Sequence, residues 1–505
     1  MEENKEKESE ELLETSTENP PEPDLPGQDE DEDEEEELID VDDINDVNDI
    51  DDIEEINEKL ADQIPDLVAA RDFQKVKELL RELEPADIAI VLEDIPADLM
   101  PVLFRLLPKE LAAECFTEMS ADEQEMLIKS FSDNELKFIL DELYIDDTVD
   151  IIEEMPANVV KRILANCDSL SRSQINQILK YPKDSAGSIM TVEYVRLEKN
   201  MSVADAFTRI RRTGTEKETI YTCYVTESDK TLVGVVSAMD LMLNDTDKLI
   251  SEIMDTNVIC VTTDEDKEAV AATMSKYDFL AIPVVDADNR LVGIVTVDDA
   301  IDVIQDEATE DITKMAAITP NDKPYFKVGV FSTWLARIPW LLLLMLSATF
   351  TGAIISHYEE SLSKVIILTS FIPMLMDTAG NAGGQASVTI IRAISLGEVE
   401  PRDFLRVLWK EFRVSFLCGV TLAAVGFGKA VLFDGASVIV ALTVCLTLAT
   451  TVVVAKAVGC CMPLLIKRLG FDPAVVASPF ITTIVDAISL IVYFAIATAV
   501  IPQLA

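Results

Sequence analysis

Five long apolar segments in the last third of the chain limit its possible folds more than any other feature. They cover about residues 331–357, 363–394, 412–432, 437–466 and 474–501. A helix needs roughly 20 mostly apolar residues to cross the hydrocarbon core of a bilayer, and each segment reaches that length. A chain in lipid must satisfy its own backbone hydrogen bonds, which helices do internally. The sequence therefore predicts a multidomain membrane protein whose residues 329–505 form an α-helical membrane domain of five spans.

Basic residues in the connecting loops predict the orientation of these spans. The loop between spans two and three carries Arg392, Arg402, Arg406, Lys410 and Arg413, and the loop between spans four and five carries Lys467 and Arg468. Each of the other two loops has one lysine. Cytoplasmic loops are enriched in Lys and Arg. We therefore expect a multi-pass protein of the inner (plasma) membrane with a cytoplasmic N-terminus and an external C-terminus.

Acidic residues dominate the other end of the chain. Residues 1–60 carry 29 Asp or Glu against 3 Lys, and the whole chain has a formal net charge of −52. Such a segment buries too little apolar surface to fold, so residues 1–54 are predicted to be a disordered acidic tail. The tail is either a solvating segment or a cation-buffering or partner-binding one. No nucleic acid partner is expected for so acidic a chain.

A 12-residue repeat follows the tail. Its copies begin at Pro96, Pro108, Ser120, Ser132, Tyr144 and Pro156, and each continues with apolar residues at helical spacing. Pro and Ser are favoured where helices begin, so each copy predicts one short helix. Helices this short are not stable alone and must share a core by stacking, as in solenoids. Residues 55–180 are therefore predicted to form an all-α superhelical N domain.

A second repeat has a period of 59 residues. "KTLVGVVSAMDLM" at 230–242 matches "NRLVGIVTVDDAI" at 289–301, and the stretches upstream of each also match. The pattern is two copies of strand–helix–strand–strand–helix, and it resembles a tandem CBS pair, an α/β module, over residues 181–305. In that family a Gly-h-h-Ser/Thr-x-x-Asp motif, where h is a hydrophobic residue and x any residue, contacts the ribose of an adenosine ligand. The resemblance places such contacts, and with them ATP, at Ser237, Asp240, Thr296 and Asp299; alternatively, these residues only cap the helices that follow.

Polar residues interrupt two of the five spans. Asp377, Asn381 and Gln385 are spaced i, i+4, i+8 in span two, so on a helix they form one stripe. Span five carries Asp486, with Thr482 one turn before it. A charge at mid-bilayer is costly and is expected to face the bundle interior or a wet cavity. We expect no Lys, Arg or His at mid-span to neutralise either aspartate, so the simplest counter-ion is a passing cation; Asp377 could instead make an interhelical hydrogen bond.

The polar side chains in these two spans offer oxygen atoms as ligands, and hard cations prefer oxygen ligands. The chain's single histidine, His357, excludes histidine-based metal sites. Mg²⁺ holds its waters tightly, so a sparse set of carboxylates and amides suits the hydrated ion, while other divalent cations such as Co²⁺ and Mn²⁺ remain open. An intramembrane aspartyl protease would need a Gly-x-Gly-Asp signature, and residues 426–429 read "GFGK". An anion or osmolyte transporter would want basic or aromatic groups where these spans have acids, so we do not expect an enzyme or an anion carrier.

Four stretches in this order resemble the MgtE family of magnesium channels: "YPKDSAGSIMT", "VTVDDAIDVIQDEATEDITKMA", "PMLMDTAGNAGGQAS" and "DPAVVASPFITTIVD". The resemblance covers residues 55–505 and implies a homodimer in the lipid bilayer with the pore at the subunit interface. It places the ion-binding carboxylate at Asp486 and a polar ring at Asn381, with Asp377, Gln385 and Thr482 as neighbours. Ala379 is a departure, because the family usually has Gly there.

Acids also fill the segment that links the second CBS unit to the membrane domain, residues 306–328, and the helix leading into it. In similar proteins this is a plug helix that closes the pore when cytosolic Mg²⁺ binds between it, the CBS units and the N domain. Like charges on one helix face repel unless cations bridge them. The predicted metal ligands on this helix are Asp299, Asp302, Glu307, Glu310 and Asp311. Asp299 is also the predicted ribose contact, which would couple metal and nucleotide binding.

Overall fold

The computed structural model of the protein describes residues 39, 41, 44, 50–321, 323, 325–476 and 478–504. Most of the predicted disordered tail, residues 1–54, lies outside the described residues. The described residues divide into two compact units, one ending at Glu142 and one starting at Leu143.

The first unit is helical in its described part. Its helices are α1 (Ile50–Ala69), α2 (Phe73–Arg81), α3 (Pro85–Asp94), α4 (Met100–Phe104), α5 (Lys109–Glu118), α6 (Ala121–Ser130) and α7 (Asp133–Leu140). Ser120 and Ser132 are the N-caps of α6 and α7, each in a capping box with the glutamate three residues later. Pro108 is the N-cap of α5. The 12-residue repeat thus predicted where α5, α6 and α7 begin, whereas α4 begins at Met100, four residues after Pro96.

The second unit starts with three more short helices, α8 (Ile145–Glu154), α9 (Ala157–Asn166) and α10 (Ser169–Ile178). Tyr144 and Pro156 are the N-caps of α8 and α9, so these helices keep the 12-residue period. Glu193 lies at the N-terminus of α8, where burial raises the pKa of its carboxyl and the backbone N–H of Ile145 lowers it by favouring the ionised form. This contact joins the last part of the helical repeat to the module that follows.

Two three-stranded sheets follow, as the 59-residue repeat predicted. The first contains β1 (Tyr194–Glu198), β2 (Thr219–Thr226) and β3 (Leu232–Ser237), and the second contains β4 (Val261–Thr262), β5 (Ala281–Val285) and β6 (Leu291–Thr296). In both sheets the first pair of strands is parallel and the second is antiparallel. The helices of this module are α11 (Val203–Thr213), α12 (Ala238–Leu243), α13 (Ile250–Ile253) and α14 (Lys267–Tyr277).

The two copies exchange their entry segments. Thr191, from the start of the first copy, pairs with Ile294 on β6, and Asp255, from the start of the second, pairs with Val235 on β3. Each crossing is close, because a Cβ on Gly293 would lie 2.7 Å from the Thr191 carbonyl oxygen. The exchange ties both copies into one CBS pair, whose β6 leads directly into the next helix.

Helix α15 (Val297–Met315) connects this module to the membrane domain. The remaining helices are α16 (Val330–His357), α17 (Glu359–Lys364), α18 (Ile372–Ser395), α19 (Phe404–Leu432), α20 (Val438–Arg468) and α21 (Ser478–Val500). Among the described residues, four helical segments are long and apolar enough to cross a membrane: Val330–His357, Pro401–Leu432, Val438–Arg468 and Pro479–Val500.

Helix α18 corresponds to the second predicted span and is not one of those four. Its 24 residues are sufficient for a crossing, but its three glycines and its polar stripe of Asp377, Asn381 and Gln385 make it less apolar. It packs along α20 and α21, so its backbone lies inside the helical bundle.

Candidate cation path and acidic clusters

Asp486 and Thr482 lie on α21 against the polar part of α18. The contact is at Gly380, where an added Cβ would lie 3.5 Å from Asp486 Oδ1 and 3.4 Å from Thr482 Cγ2. Small residues let helix backbones approach closely in membranes, and here the absence of a side chain at Gly380 leaves room for the carboxylate. The two spans that the sequence marked as polar are therefore neighbours in space.

Small residues also hold α18 against α20. A Cβ on Gly459 would overlap the carbonyl oxygen of Gly383, and one on Gly383 would lie 3.3 Å from the carbonyl oxygen of Ala455. Ala379, where the family usually has Gly, is fully buried in the same contact region, packed with Val452 and Val485 among others. Its methyl group is thus accommodated in this core.

We expect Gly459→Ala to destabilise the membrane domain by about 1–3 kcal/mol, because the new methyl forces α20 away from the Gly383 carbonyl. Thermal unfolding of the detergent-purified protein measures the effect. Gly428→Ala on α19 is the matched control, because nothing lies within 4 Å of a Cβ there. Equal stability of the two variants would contradict the close α18–α20 contact.

The polar stripe of α18 is open in the single chain. Asp377, Asn381 and Gln385 are exposed, and Asp486 is partly buried behind them. Within the described part of the chain, no hydrogen bond or ion pair is found for the side chains of Asp377 and Asp486. Asp377 is close enough to interact electrostatically with Asp486, so the two carboxylates repel each other. The Thr482 hydroxyl donates to the Pro479 carbonyl oxygen at 2.9 Å, which leaves its oxygen free to accept.

The expectation that no Lys, Arg or His lies at mid-span is wrong for Lys456. Lys456 lies inside α20 and is buried. Its partner is Glu411 on α19, at 3.9 Å between Nζ and Oε2, rather than either aspartate of the path. Asp486 and Asp377 therefore keep no recorded cationic partner among the described residues, although a lysine is present in the bundle.

Seven acids gather where α8 meets the CBS pair. They come from α8, from the segments before β1 and β2, and from the start of α15, and we call them the α8–CBS cluster: Asp146, Asp147, Asp150, Glu193, Glu218, Asp298 and Asp299. Asp146 is only 8% exposed, and its Oδ1 has no hydrogen-bond partner, nor has the buried Oε2 of Glu218. Lys217 acts on Glu193 as an opposing charge.

Burial and mutual repulsion shift the pKa values of these acids upward. Burial first, and then nearby carboxylates including Asp299, raise the pKa of Asp146 well above its ordinary value and that of Asp150 to about 7. The same causes raise the pKa of Glu218 to about 8. Burial raises the pKa of Asp299 to about 7, although the Thr296 hydroxyl, which donates at 2.6 Å, favours the ionised form. Burial and like-charge neighbours both disfavour the ionised form of these groups, so a cation bound here would stabilise their charges.

A second group of acids lies at the other end of α15, where it reaches the membrane domain. We call it the α15–membrane cluster: Glu268, Glu307, Glu310, Asp311 and Asp472. Lysines pair with acids of this cluster. Lys314 Nζ lies 2.8 Å from Asp472 Oδ2, and Lys267 Nζ lies 3.8 Å from Glu307 Oε1. The Ser395 hydroxyl donates to Asp311 at 3.1 Å. These contacts fasten the end of α15 to α18 and to the segment before α21.

The predicted ligands on α15 therefore do not meet at one point. Asp299 and Glu310 are eleven residues apart, about 16 Å along a helix, and each belongs to a different cluster. Asp302 is exposed between the two clusters and interacts with Asp298 and Asp306. In the part of the chain that the structure describes, no three Asp, Glu, His or Cys side chains are close enough to chelate one ion. The wide spacing suits a cation that keeps its water shell.

Comparison with known proteins decides the family. Family profiles match at residues 83–184 (MgtE intracellular N domain), 186–245 and 250–306 (CBS domain) and 372–496 (MgtE, divalent cation transporter). The "Magnesium transporter MgtE" of Thermus thermophilus is 37% identical, over 87% of this chain and 98% of that protein. The chain belongs to the MgtE family. The Bacillus subtilis "Magnesium transporter MgtE" is 32% identical over 86% of this chain and 95% of that protein.

Among solved structures, the cytosolic domain of the Mg²⁺ channel MgtE in complex with ATP is 36% identical. The match covers 48% of this chain and 99% of the chain in that structure, with a TM-score of 0.46. MgtE proteins are transporters, so the predictions of a membrane transporter and of a chain that is not an enzyme are confirmed.

Sequence reasoning about this MgtE chain predicted only Asp299 among the seven acids of the α8–CBS cluster. Asp146, Asp150, Glu193 and Glu218 were not predicted, because only the fold brings them to Asp299. One signal was available: the repeat copy at 144–155, "YIDDTVDIIEEM", has five acids and no base, while each of the other five copies has at least one Lys or Arg. A copy without compensating charge indicates an acidic contact surface.

The predicted nucleotide residues lie at the N-termini of α12 and α15. Ser237 caps α12, its hydroxyl lies 2.6 Å from Asp240 Oδ2, and the Asp240 backbone N–H donates to it. Thr296 makes the equivalent hydrogen bond to Asp299. Capping accounts for Ser237 and Asp240, whereas the Thr296 side chain makes no capping hydrogen bond to the backbone of α15. Nucleotide binding stays a prediction.

Proposed function

We propose that this protein carries Mg²⁺ across the inner membrane along a path lined by α18 and α21. The observation that supports this most directly is Asp486: it lies beside Gly380 on the polar stripe of α18 and has no recorded cationic partner in the described chain. A carboxylate at membrane depth without a fixed counter-ion needs a mobile one. The relatives named magnesium transporters indicate which cation it is.

Each donor on the path has a defined role. Asp486 supplies the charge that offsets the cost of bringing a divalent cation into the bundle, and Asp377 adds to the negative potential. Asn381, Gln385 and Thr482 offer neutral oxygens that accept hydrogen bonds from the water shell of the ion. Because Mg²⁺ dehydrates reluctantly, a path lined with outer-shell acceptors favours it over cations that need many direct ligands.

The protein acts as a homodimer with its path at the subunit interface. Two features support this. Helix α16 has no buried residue in the single chain, and the polar stripe of α18 is exposed on the same chain. In a monomer, α16 and the polar stripe of α18 would both face lipid. Contact with lipid is unfavourable for the polar side chains of Asp377, Asn381 and Gln385. A second copy would enclose the stripe.

Cytosolic Mg²⁺ closes the path through the two acidic clusters. Bound cations relieve repulsion at the α8–CBS cluster through Asp146 and Asp299 and at the α15–membrane cluster through Glu307, Glu310 and Asp311. Helix α15 carries acids of both clusters, so both act on the same connecting element. With little Mg²⁺, repulsion between the unshielded acids separates the elements and releases α15. ATP bound near Asp240 or Asp299 would modulate this equilibrium.

Growth of a strain lacking its own Mg²⁺ uptake systems tests the function. We expect the protein to restore growth at low Mg²⁺, and the purified protein in liposomes to carry Mg²⁺ inward down its gradient. Parallel assays with Co²⁺ and Mn²⁺ test the alternative substrates, with empty liposomes as the control. Flux of Co²⁺ or Mn²⁺ without Mg²⁺ flux would replace the proposed substrate, and flux of none of the three would overturn the function.

A further inference from the structure

A buried ion pair lies inside the membrane domain and includes neither aspartate of the proposed path. Lys456 on α20 and Glu411 on α19 have side chains only 9% and 11% exposed, and their charged atoms are 3.9 Å apart. Lys456 is twelve residues from the C-terminal end of α20, about 18 Å along the helix. Charged residues within spans are rare and face the bundle interior, as this pair does.

The pair is part of a closely packed seam between α19 and α20. Residues of α19 at four-residue spacing are buried against α20, including Val407, Glu411, Ser415 and Gly419. At Gly419 an added Cβ would lie 3.1 Å from the Ala449 carbonyl oxygen. Small and apolar residues at these positions already supply the packing, so the seam needs no charge to associate.

A buried ion pair adds little to stability, because desolvation of the two charges offsets most of their attraction. Its best-attested use is to select one register of two packed helices. A one-turn slip of α19 along α20 would remove Glu411 from Lys456 and leave two unpaired charges in the bundle. The apolar seam alone would tolerate such a slip.

The register of α20 also controls the path. Gly459 lies three residues beyond Lys456, on the next turn of α20, and contacts the carbonyl of Gly383 on α18. Gly383 is two residues from Asn381 and Gln385. We propose that Lys456 and Glu411 are positioning residues that fix α20 and, through the Gly459–Gly383 contact, hold the α18 polar stripe at the distance from Asp486 that Mg²⁺ transport requires. This inference rests on the proposed function.

Two matched double variants test the pair. Glu411→Gln/Lys456→Met removes both charges without leaving one unpaired, and Glu411→Lys/Lys456→Glu reverses them. Flux into liposomes is measured as a function of Mg²⁺ concentration, together with the amount of membrane-inserted protein. We expect the neutral double variant to be inserted normally but to need at least about fivefold more Mg²⁺ for half-maximal flux, and the reversed variant to approach the wild type.

A general loss of structure would lower the maximal flux and leave the half-saturating Mg²⁺ concentration unchanged, so that result would overturn the proposal. A wild-type half-saturating concentration in the neutral variant would also overturn it. So would an inserted, reversed variant as impaired as the neutral one, or a neutral variant that fails to insert while the reversed one inserts. Failure of the wild type itself to carry Mg²⁺ would instead overturn the proposed function.

Discussion

Asp486→Asn should abolish Mg²⁺ uptake, lowering flux at least about 100-fold, which corresponds to about 2.8 kcal/mol. Asparagine has nearly the same shape, so the contact with Gly380 persists and α21 keeps its packing. Only the charge is lost. The amide cannot offset the cost of a divalent cation among apolar helices, and the repulsion between Asp486 and Asp377 that a bound cation relieves disappears with the charge.

Complementation at low Mg²⁺ and flux into liposomes measure this effect, with membrane insertion checked for each variant. Asp434→Asn is the matched control, because Asp434 belongs to the same domain but pairs with Lys429 at 2.8 Å outside the path. We expect the control to transport like the wild type. An inserted Asp486→Asn protein that still restores growth would remove this carboxylate from the transport path.

Local sequence signals predicted the elements well. Ser120 and Ser132 cap helices because their hydroxyls satisfy free backbone N–H groups, and that requirement can be read from neighbouring residues alone. The two CBS copies could be recognised because Gly234 and Gly293 each permit the same backbone crossing. In α18 the i, i+4, i+8 spacing of Asp377, Asn381 and Gln385 was enough to place them on one face. Each of these features depends on short-range geometry.

Contacts between distant segments were not predictable in the same way. Glu411 and Lys456 are 45 residues apart, and only the antiparallel packing of α19 and α20 brings them together. From the sequence, the acids of α15 were expected to bind cations together as like charges on one helix. They belong to two clusters, because the start of α15 meets acids of α8 and the CBS pair while its end meets acids near the membrane domain. Asp146 belongs to one copy of the 12-residue repeat, and it is buried because another module covers it. Burial of a charged residue depends on its tertiary partners.

The double variant Asp146→Asn/Asp299→Asn should keep transporting at cytosolic Mg²⁺ concentrations that close the wild type. The α8–CBS cluster contains two buried oxygens without partners, Asp146 Oδ1 and Glu218 Oε2, and acids whose pKa values are raised by burial and mutual repulsion. Removing two charges weakens cation binding there, because each lost carboxylate removes Coulomb attraction in a partly dry site. We expect the Mg²⁺ concentration for half-closure to rise at least about tenfold, since closure is linked to that binding.

The loss of repulsion has a second consequence that separates this mechanism from simple damage. In EDTA the wild-type cluster has no cation to shield it, so the double variant should resist proteolysis between residues 143 and 315 better than the wild type, while added Mg²⁺ should protect the wild type more. Asp247→Asn, at an exposed acid of the CBS pair, is the control and should behave like the wild type in both assays. A double variant that closes at the wild-type Mg²⁺ concentration, or that is cleaved faster in EDTA, would show that these acids do not couple cytosolic Mg²⁺ to the path.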